Sequence, residues 1–200
     1  MVQDYRKLNQ HTIKDKTPLP LIREVINKLK EVKYFNKLNL IWSYNNIWIK
    51  KGDKWKAAFL TNKGLFKPKV IYFGQCNLPG TFQRMMNSVF WELLHKGVLE
   101  NYTDDFVISA KTKKKLKEWT IHFSKVVEKY NLCFKWSKCN FNTEEILILE
   151  VVVGRGEVQM ENDEVKVVME WKTHTKIKEV ESFLGFTNFY QQSINIISVI

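Results

Sequence analysis

Two adjacent carboxylates, Asp104 and Asp105, are flanked by Val98 and Leu99 on one side and by Phe106, Val107 and Ile108 on the other. The pattern predicts a β-hairpin with the acids where its two strands meet, in the segment Asn101-Tyr102-Thr103-Asp104-Asp105-Phe106. Paired carboxylates on rigid strands suit divalent cations, because Mg2+ takes hard oxygen ligands and concentrated negative charge. A solvated hairpin tip has the same composition, so the elements that would position the pair decide between the two readings.

Those elements follow from spacing. Ile22, Val25, Ile26 and Leu29 recur at helical intervals behind Pro18 and Pro20, which predicts a short helix with a defined start. Phe35 to Leu40 alternates apolar and polar, as a strand does, and carries Asn39. Ala57 to Thr61 and Val70 to Phe73 read as two strands around the turn signal Asn62-Lys63-Gly64. After Pro79, Phe82, Met85, Met86, Val89, Phe90, Leu93 and Leu94 form one helical stripe ending at Gly97. A second helix is expected from near Thr112, with Leu116, Trp119, Phe123, Val126, Val127 and Tyr130 on one face. Ile146 to Val153 is a nearly continuous β-branched run, and Gly154-Arg155-Gly156 is the expected hinge. Helices are expected again at Val165 to Trp171 and Ile177 to Tyr190. Strand, hairpin, helix, β-hairpin, helix and strand in that order define an α+β domain, helices packed on one face of an antiparallel sheet.

Composition bounds the partners. The 200 residues carry 44% apolar and 14% aromatic side chains, enough for a substantial core and against disorder. A net charge of +11 suits a polyanionic partner, since lysines that neutralise phosphates release counterions. Cys76, Cys133 and Cys139 are odd in number and lack CxxC spacing, which fits a reducing compartment without a disulfide framework or zinc site. The polar N-terminal stretch and the lack of an apolar run near the ~20 residues of a membrane span give the expectation of a soluble, intracellular protein with no signal peptide and no membrane partner. The run Lys111 to Lys117 reads as the solvated start of an amphipathic helix sooner than as a nucleic-acid patch or nuclear address. Trp42, Trp48, Trp55 and Trp136 could stack on bases, whereas Trp171 sits at helical spacing and reads as packing.

Several motifs in order resemble the reverse transcriptase of Gypsy-class LTR retrotransposons, from Asp4 to about Tyr190. Asp4-Tyr5-Arg6-Lys7-Leu8-Asn9 with Pro18-Leu19-Pro20 resembles the family's opening fingers and palm segment. Phe73-Gly74 with Asn77, Pro79, Thr81, Phe82 and Gln83 resembles its nucleotide-pocket turn and following helix. Tyr102-Thr103-Asp104-Asp105 resembles the YxDD hairpin, and Phe183 to Tyr190 the segment beyond the palm. The resemblance implies a polymerase palm with partial fingers over residues 1–153, and a hinge with the start of the thumb or connection over 154–200. It implies RNA-directed DNA synthesis, in which two Mg2+ ions activate a primer 3′-hydroxyl and stabilise the leaving pyrophosphate. Asp104 would ligate metal and Asp105 support the metal site. Tyr44 would exclude a ribose 2′-hydroxyl, and Phe73 and Gly74 would line the nucleotide pocket. Gln83, Tyr102, Leu149 and Glu150 fall at template or primer positions. The implied partners are an RNA template, a DNA primer, deoxynucleoside triphosphates and the other pol polyprotein domains, in a cytoplasmic particle or the nucleus.

The chain departs from the pattern as well. Asn39 stands where the family has a metal-bridging aspartate, and Leu40-Ile41-Trp42-Ser43-Tyr44 is altered beside it. Two divalent ions ~4 Å apart repel by roughly 15 kcal/mol at an effective dielectric of about 20, and carboxylates offset this where an amide does not. Ile148-Leu149-Glu150 replaces Phe-Leu-Gly at the primer-gripping turn, putting a side chain and a negative charge where a glycine is expected. The opening fingers residues for the triphosphate, and any RNase H, protease or integrase portion, are not expected within this stretch. The resulting expectation is a degenerate, truncated copy with severely reduced polymerase activity. The competing reading is a catalytically dead remnant that binds nucleic acid through its basic surface; a third, an unrelated α+β interaction domain, would make the ordered motifs a coincidence.

Overall fold

A computed structural model describes residues 3–41, 47–171, 173 and 176–190. Its centre is a four-stranded antiparallel sheet in the order β4-β5-β1-β6, formed by β1 (Tyr34–Asn39), β4 (Leu99–Tyr102), β5 (Asp105–Ala110) and β6 (Asn140–Thr143). Because side chains alternate across a strand, each sheet face draws on every second residue. Leu38, Leu99, Phe106, Ile108 and Ala110 face one way and join Phe82, Met86 and Phe90 of α3 (Leu78–Val89) and its C-cap, Leu93 of α4 (Trp91–His95), and Leu116 and Phe123 of α5 (Lys113–Lys129) in one buried core. Phe90 stacks on Phe123 at 4.9 Å between ring centroids, and Phe134 meets Phe106 edge-on at 5.8 Å. Thr112 caps α5 by accepting a hydrogen bond from the Lys115 amide at 3.3 Å.

The other sheet face is covered too. Phe35 and Val107 pack there with Val25, Ile26 and Leu29 of α2 (Ile22–Lys30) and with a second antiparallel sheet, β7-β8-β9, which supplies Ile146, Ile148, Val151 and Val153. Its strands are β7 (Glu145–Ile148), β8 (Val151–Gly154) and β9 (Glu157–Met160). The α+β class holds, while helices on one face alone does not: α3 and α5 back the sheet, and α2 and the small sheet close over its front. α1 (Arg6–His11), α6 (Asn162–Met169) and α7 (Ile177–Phe189) complete the order. No helix among the described residues is long and apolar enough to cross a membrane.

Three expectations are corrected by the backbone. The two-stranded hairpin is β2 (Phe59–Thr61) with β3 (Gly64–Phe66), not 57–61 with 70–73. Ala57 ends a short 3-10 turn, and Val70 makes an isolated bridge to Trp48. The stripe after Pro79 is two helices, because the chain leaves helical geometry at Phe90 before resuming at Trp91. The run 146–153 folds on itself: Ile148 pairs with Val151 across Leu149-Glu150, both at positive φ, as a two-residue type I′ hairpin requires. Arg155-Gly156 is the turn from β8 to β9, and Arg155 Nε lies 3.0 Å from Glu145 Oε1 on β7.

Glu100 on β4 is buried beside α2, where Lys28 Nζ reaches it at 3.1 Å. Burial raises its carboxyl above the usual range, and Lys28 offsets only part of that. The folded state therefore holds this proton more tightly than the unfolded chain, so stability falls as pH rises from the ordinary carboxylate range through the folded value. Glu100→Gln is expected to remove that fall. Urea midpoints of the two proteins should coincide in acid and separate above it, with the variant the more stable at neutral pH.

Candidate polymerase site

β4 and β5 meet in a two-residue loop, Thr103-Asp104, with Tyr102 paired to Asp105. Only the first loop residue has positive φ, at 52°, which is the type II′ signature. A β-branched residue is strained there. The loop lies against β1, because Asn39 pairs with Asp105 and the Leu40 amide donates to the Asp104 carbonyl at 3.0 Å. The three positions that the family resemblance groups, Asn39, Asp104 and Asp105, are thus together.

Their bonding is specific. Asn39 Nδ2 donates to Asp105 Oδ1 at 3.0 Å, and Lys37 Nζ lies 3.3 Å from Asp105 Oδ2. Lys37 also donates to the Leu147 carbonyl at 2.7 Å, tying the site to the small sheet. Both Asp105 oxygens are therefore engaged by donors on β1, while Asp104 Oδ1 accepts from the Thr103 hydroxyl at 3.0 Å. Asp104 and Asp105 are the anionic groups of the turn that could meet a cation. Among the described residues no group of three or more His, Cys, Asp or Glu side chains is arranged to hold a metal ion.

Gln83, expected at template or primer, is fully buried and has no surface to offer either. Its Nε2 donates to Asn101 Oδ1 at 2.6 Å and Asn87 Oδ1 at 3.0 Å, and its Oε1 accepts from the Thr103 amide at 3.3 Å. Asn101 Nδ2 in turn donates to the Thr103 carbonyl at 2.9 Å. Phe73, 67% exposed, and Gly74, at φ +97°, belong to the loop entering α3. Asn9 fastens that loop, donating to the Gly74 carbonyl at 2.7 Å and accepting from the Cys76 amide at 2.9 Å. Tyr44 and Trp42 lie outside the described residues.

Glu150 occupies φ +65° and Leu149 φ +52°, left-handed conformations that glycine adopts without strain. Tyr190, at the end of α7, is 2% exposed, and its hydroxyl is pushed up to about 12 by burial first and then by the charges of Glu164, Glu150 and Glu161. Leu149 of this turn packs in the same core as Tyr190 and Phe186 of the last helix. Trp171 packs as expected, 5.3 Å from Phe183 and 5.4 Å from Phe186. Sequence reasoning misses Lys37, Asn87 and Asn101, although spacing marks two of them: Lys37 is two residues from Asn39 on one strand face, and Asn87 is one helical turn from Gln83.

An antiparallel sheet backed by two helices, with paired acids on the turn of its central hairpin, is the architecture of a polymerase palm. The sequence profile described as reverse transcriptase (RNA-dependent DNA polymerase) matches residues 1–187, and the chain belongs to this family. It is 32% identical over 194 residues to the retrovirus-related Pol polyprotein from transposon 297 of Drosophila melanogaster and 29% identical over 197 residues to the transposon Tf2-3 polyprotein of Schizosaccharomyces pombe. Those matches cover 97% of this chain but only 18% and 14% of the relatives, so the chain spans less than a fifth of their length. In fold it is similar to the foamy viral protease-reverse transcriptase solved with an RNA/DNA hybrid, at TM-score 0.81 and 18% identity over 94% of this chain and 25% of that one. A second foamy viral structure, with double-stranded DNA, gives 0.83 and 20% over 94% and 32%. The Gypsy-type resemblance and the palm fold are both borne out.

Proposed function

We propose that this chain is the palm and partial fingers of a retrotransposon reverse transcriptase that retains nucleic-acid binding and has lost most of its nucleotidyl transfer. The observation that carries the loss is the Asn39–Asp105 hydrogen bond, a neutral donor where a bridging carboxylate is needed. Two Mg2+ ions would have to be held by Asp104 and Asp105 alone, with the Lys37 ammonium beside Asp105, and this donor set does not fit two ions. The foamy viral neighbours hold an RNA/DNA hybrid and double-stranded DNA, and the net charge of +11 suits the same partners here. Tyr102 at the end of β4 and the Leu149-Glu150 turn would lie along the primer, with Glu150 opposing its phosphates. Phe73 and Gly74 would face the incoming deoxynucleoside triphosphate, and Tyr44 is assigned to its sugar. The palm and fingers would occupy 1–153, with the thumb-directed segment from 154 onward, at the end of β8. Other pol polyprotein domains would complete the enzyme.

Filter binding of an RNA–DNA hybrid, with primer extension on the same preparation, tests the proposal. Salt-dependent binding with little or no extension is expected. Extension at a rate unaffected by Asn39→Asp would overturn the loss of catalysis, and no binding at low salt would overturn the retained partner.

A further inference from the structure

We infer that Gln83 is a positioning residue, with Asn101 and Asn87 its partners, whose amide network holds the strained Thr103 peptide and so sets the direction of the Asp104 and Asp105 carboxylates. The inference rests on the hairpin being the polymerase site, and it gives Gln83 a task other than touching nucleic acid.

Thr103 needs a restraint, because a β-branched residue at φ 52° relaxes toward negative φ when free to do so. That relaxation would rotate the peptide joining it to Asp104. Both backbone polar groups of Thr103 are held against it by side-chain amides, the N–H by Gln83 and the carbonyl by Asn101. The Gln83 amide donates to Asn101 and accepts from Thr103 at once; a carboxylate lacks the donor, and a methionine lacks the donor and offers only a weakly accepting sulfur. Asn87, one helical turn on, takes the second Nε2 proton, so both donor protons of the buried Gln83 side chain are directed within the network. Low dielectric around this fully buried group strengthens each bond and makes a missing partner costly. On the far side of the loop the Leu40 amide grips the Asp104 carbonyl, so displacement of Thr103 is transmitted to the β1 edge that carries Asn39.

Amide hydrogen exchange in the full chain tests this without turnover. Gln83→Met should speed exchange at Thr103 and Leu40 by about tenfold, the scale of one strained peptide released, while the β8 amides keep their rates. Thr103→Gly, in which positive φ carries no strain, should shrink the effect of Gln83→Met at Leu40 to within about twofold. If Gln83→Met does not fold, Asn87→Ala removes only the outer bond and should give the same pattern in smaller degree. Unchanged exchange at Thr103 and Leu40, uniform acceleration that includes β8, or an effect at Leu40 that persists in full in the Thr103→Gly background would each overturn the positioning role. Because exchange is read without catalysis, an Asn39→Asp protein that fails to extend primers counts against the proposed function and leaves this assignment standing.

Discussion

Asn39→Asp is expected to raise primer extension on the order of 10²–10³-fold, the scale on which removal of one preorganised electrostatic group at a reacting centre acts. In the chain as it stands, the Asn39 amide satisfies Asp105 Oδ1 and Lys37 neutralises Oδ2, so the site is content without a cation. An aspartate at position 39 would face Asp105 across a strand pair and repel it, and the repulsion is relieved by binding divalent ions. The variant should therefore be less stable than the parent without divalent ions and regain that stability when Mg2+ is added, whereas the parent should be nearly indifferent to Mg2+. A Mg2+-dependent rise in melting temperature confined to the variant, alongside steady-state extension of a primed RNA template, checks both parts. Equal extension by the two proteins would overturn the role proposed for Asn39.

Gly154→Ala is expected to cost about 3 kcal/mol, near the upper end for overpacking a core. Gly154 is buried on β8 and pairs with Glu145 of β7 and Glu157 of β9. A Cβ there would stand 2.5 Å from the Glu144 carbonyl oxygen and 2.8 Å from Glu145 Cα, both backbone atoms at the adjoining strand. Relief requires β7 to move away from β8, which opens the contacts of Ile146, Ile148, Val151 and Val153 with Phe35 and Val107. Gly185 in α7 provides the contrast: a Cβ at this position would meet nothing within 4 Å, and its φ is not positive, so Gly185→Ala should raise stability by about 0.5–1 kcal/mol through helix propensity. Urea midpoints that move in opposite directions for the two variants are the expected result; a Gly154→Ala midpoint within error of the parent would show that the small sheet is not held as described.

What can be read from sequence depends on whether periodicity and burial coincide. α2 and α5 carry full apolar stripes and are legible, as are the strands around Asp104, because each packs one face on a core. β3 escapes notice because Gly64, Leu65 and Phe66 are all exposed and leave no alternation, whereas the apolar run at Val70 suggests a strand and makes a single bridge. The break at Phe90 is silent in the stripe, since Phe82, Met86, Phe90 and Leu93 line the same core on both sides of it. The β7–β8 turn is silent in the β-branched run, since no glycine marks it and Leu149 and Glu150 hold left-handed conformations instead; family resemblance alone points to a turn at Ile148-Leu149-Glu150. At the site, family resemblance locates Asp104, Asp105 and Asn39, yet it assigns Gln83 to nucleic acid. Burial decides that case: a polar residue within an apolar helical stripe is most simply read as facing outward, and only the positions of Asn101 and the Thr103 loop show that it faces in.

Titration of the chain and of Asn39→Asp with Mn2+, read as the number and affinity of bound ions, tests the proposed loss of the two-ion site most directly. The expected result is two ions on Asn39→Asp and at most one weakly held ion, at Asp104, on the chain as it stands. Two ions bound with equal affinity by both proteins would contradict the assignment of lost catalysis to Asn39.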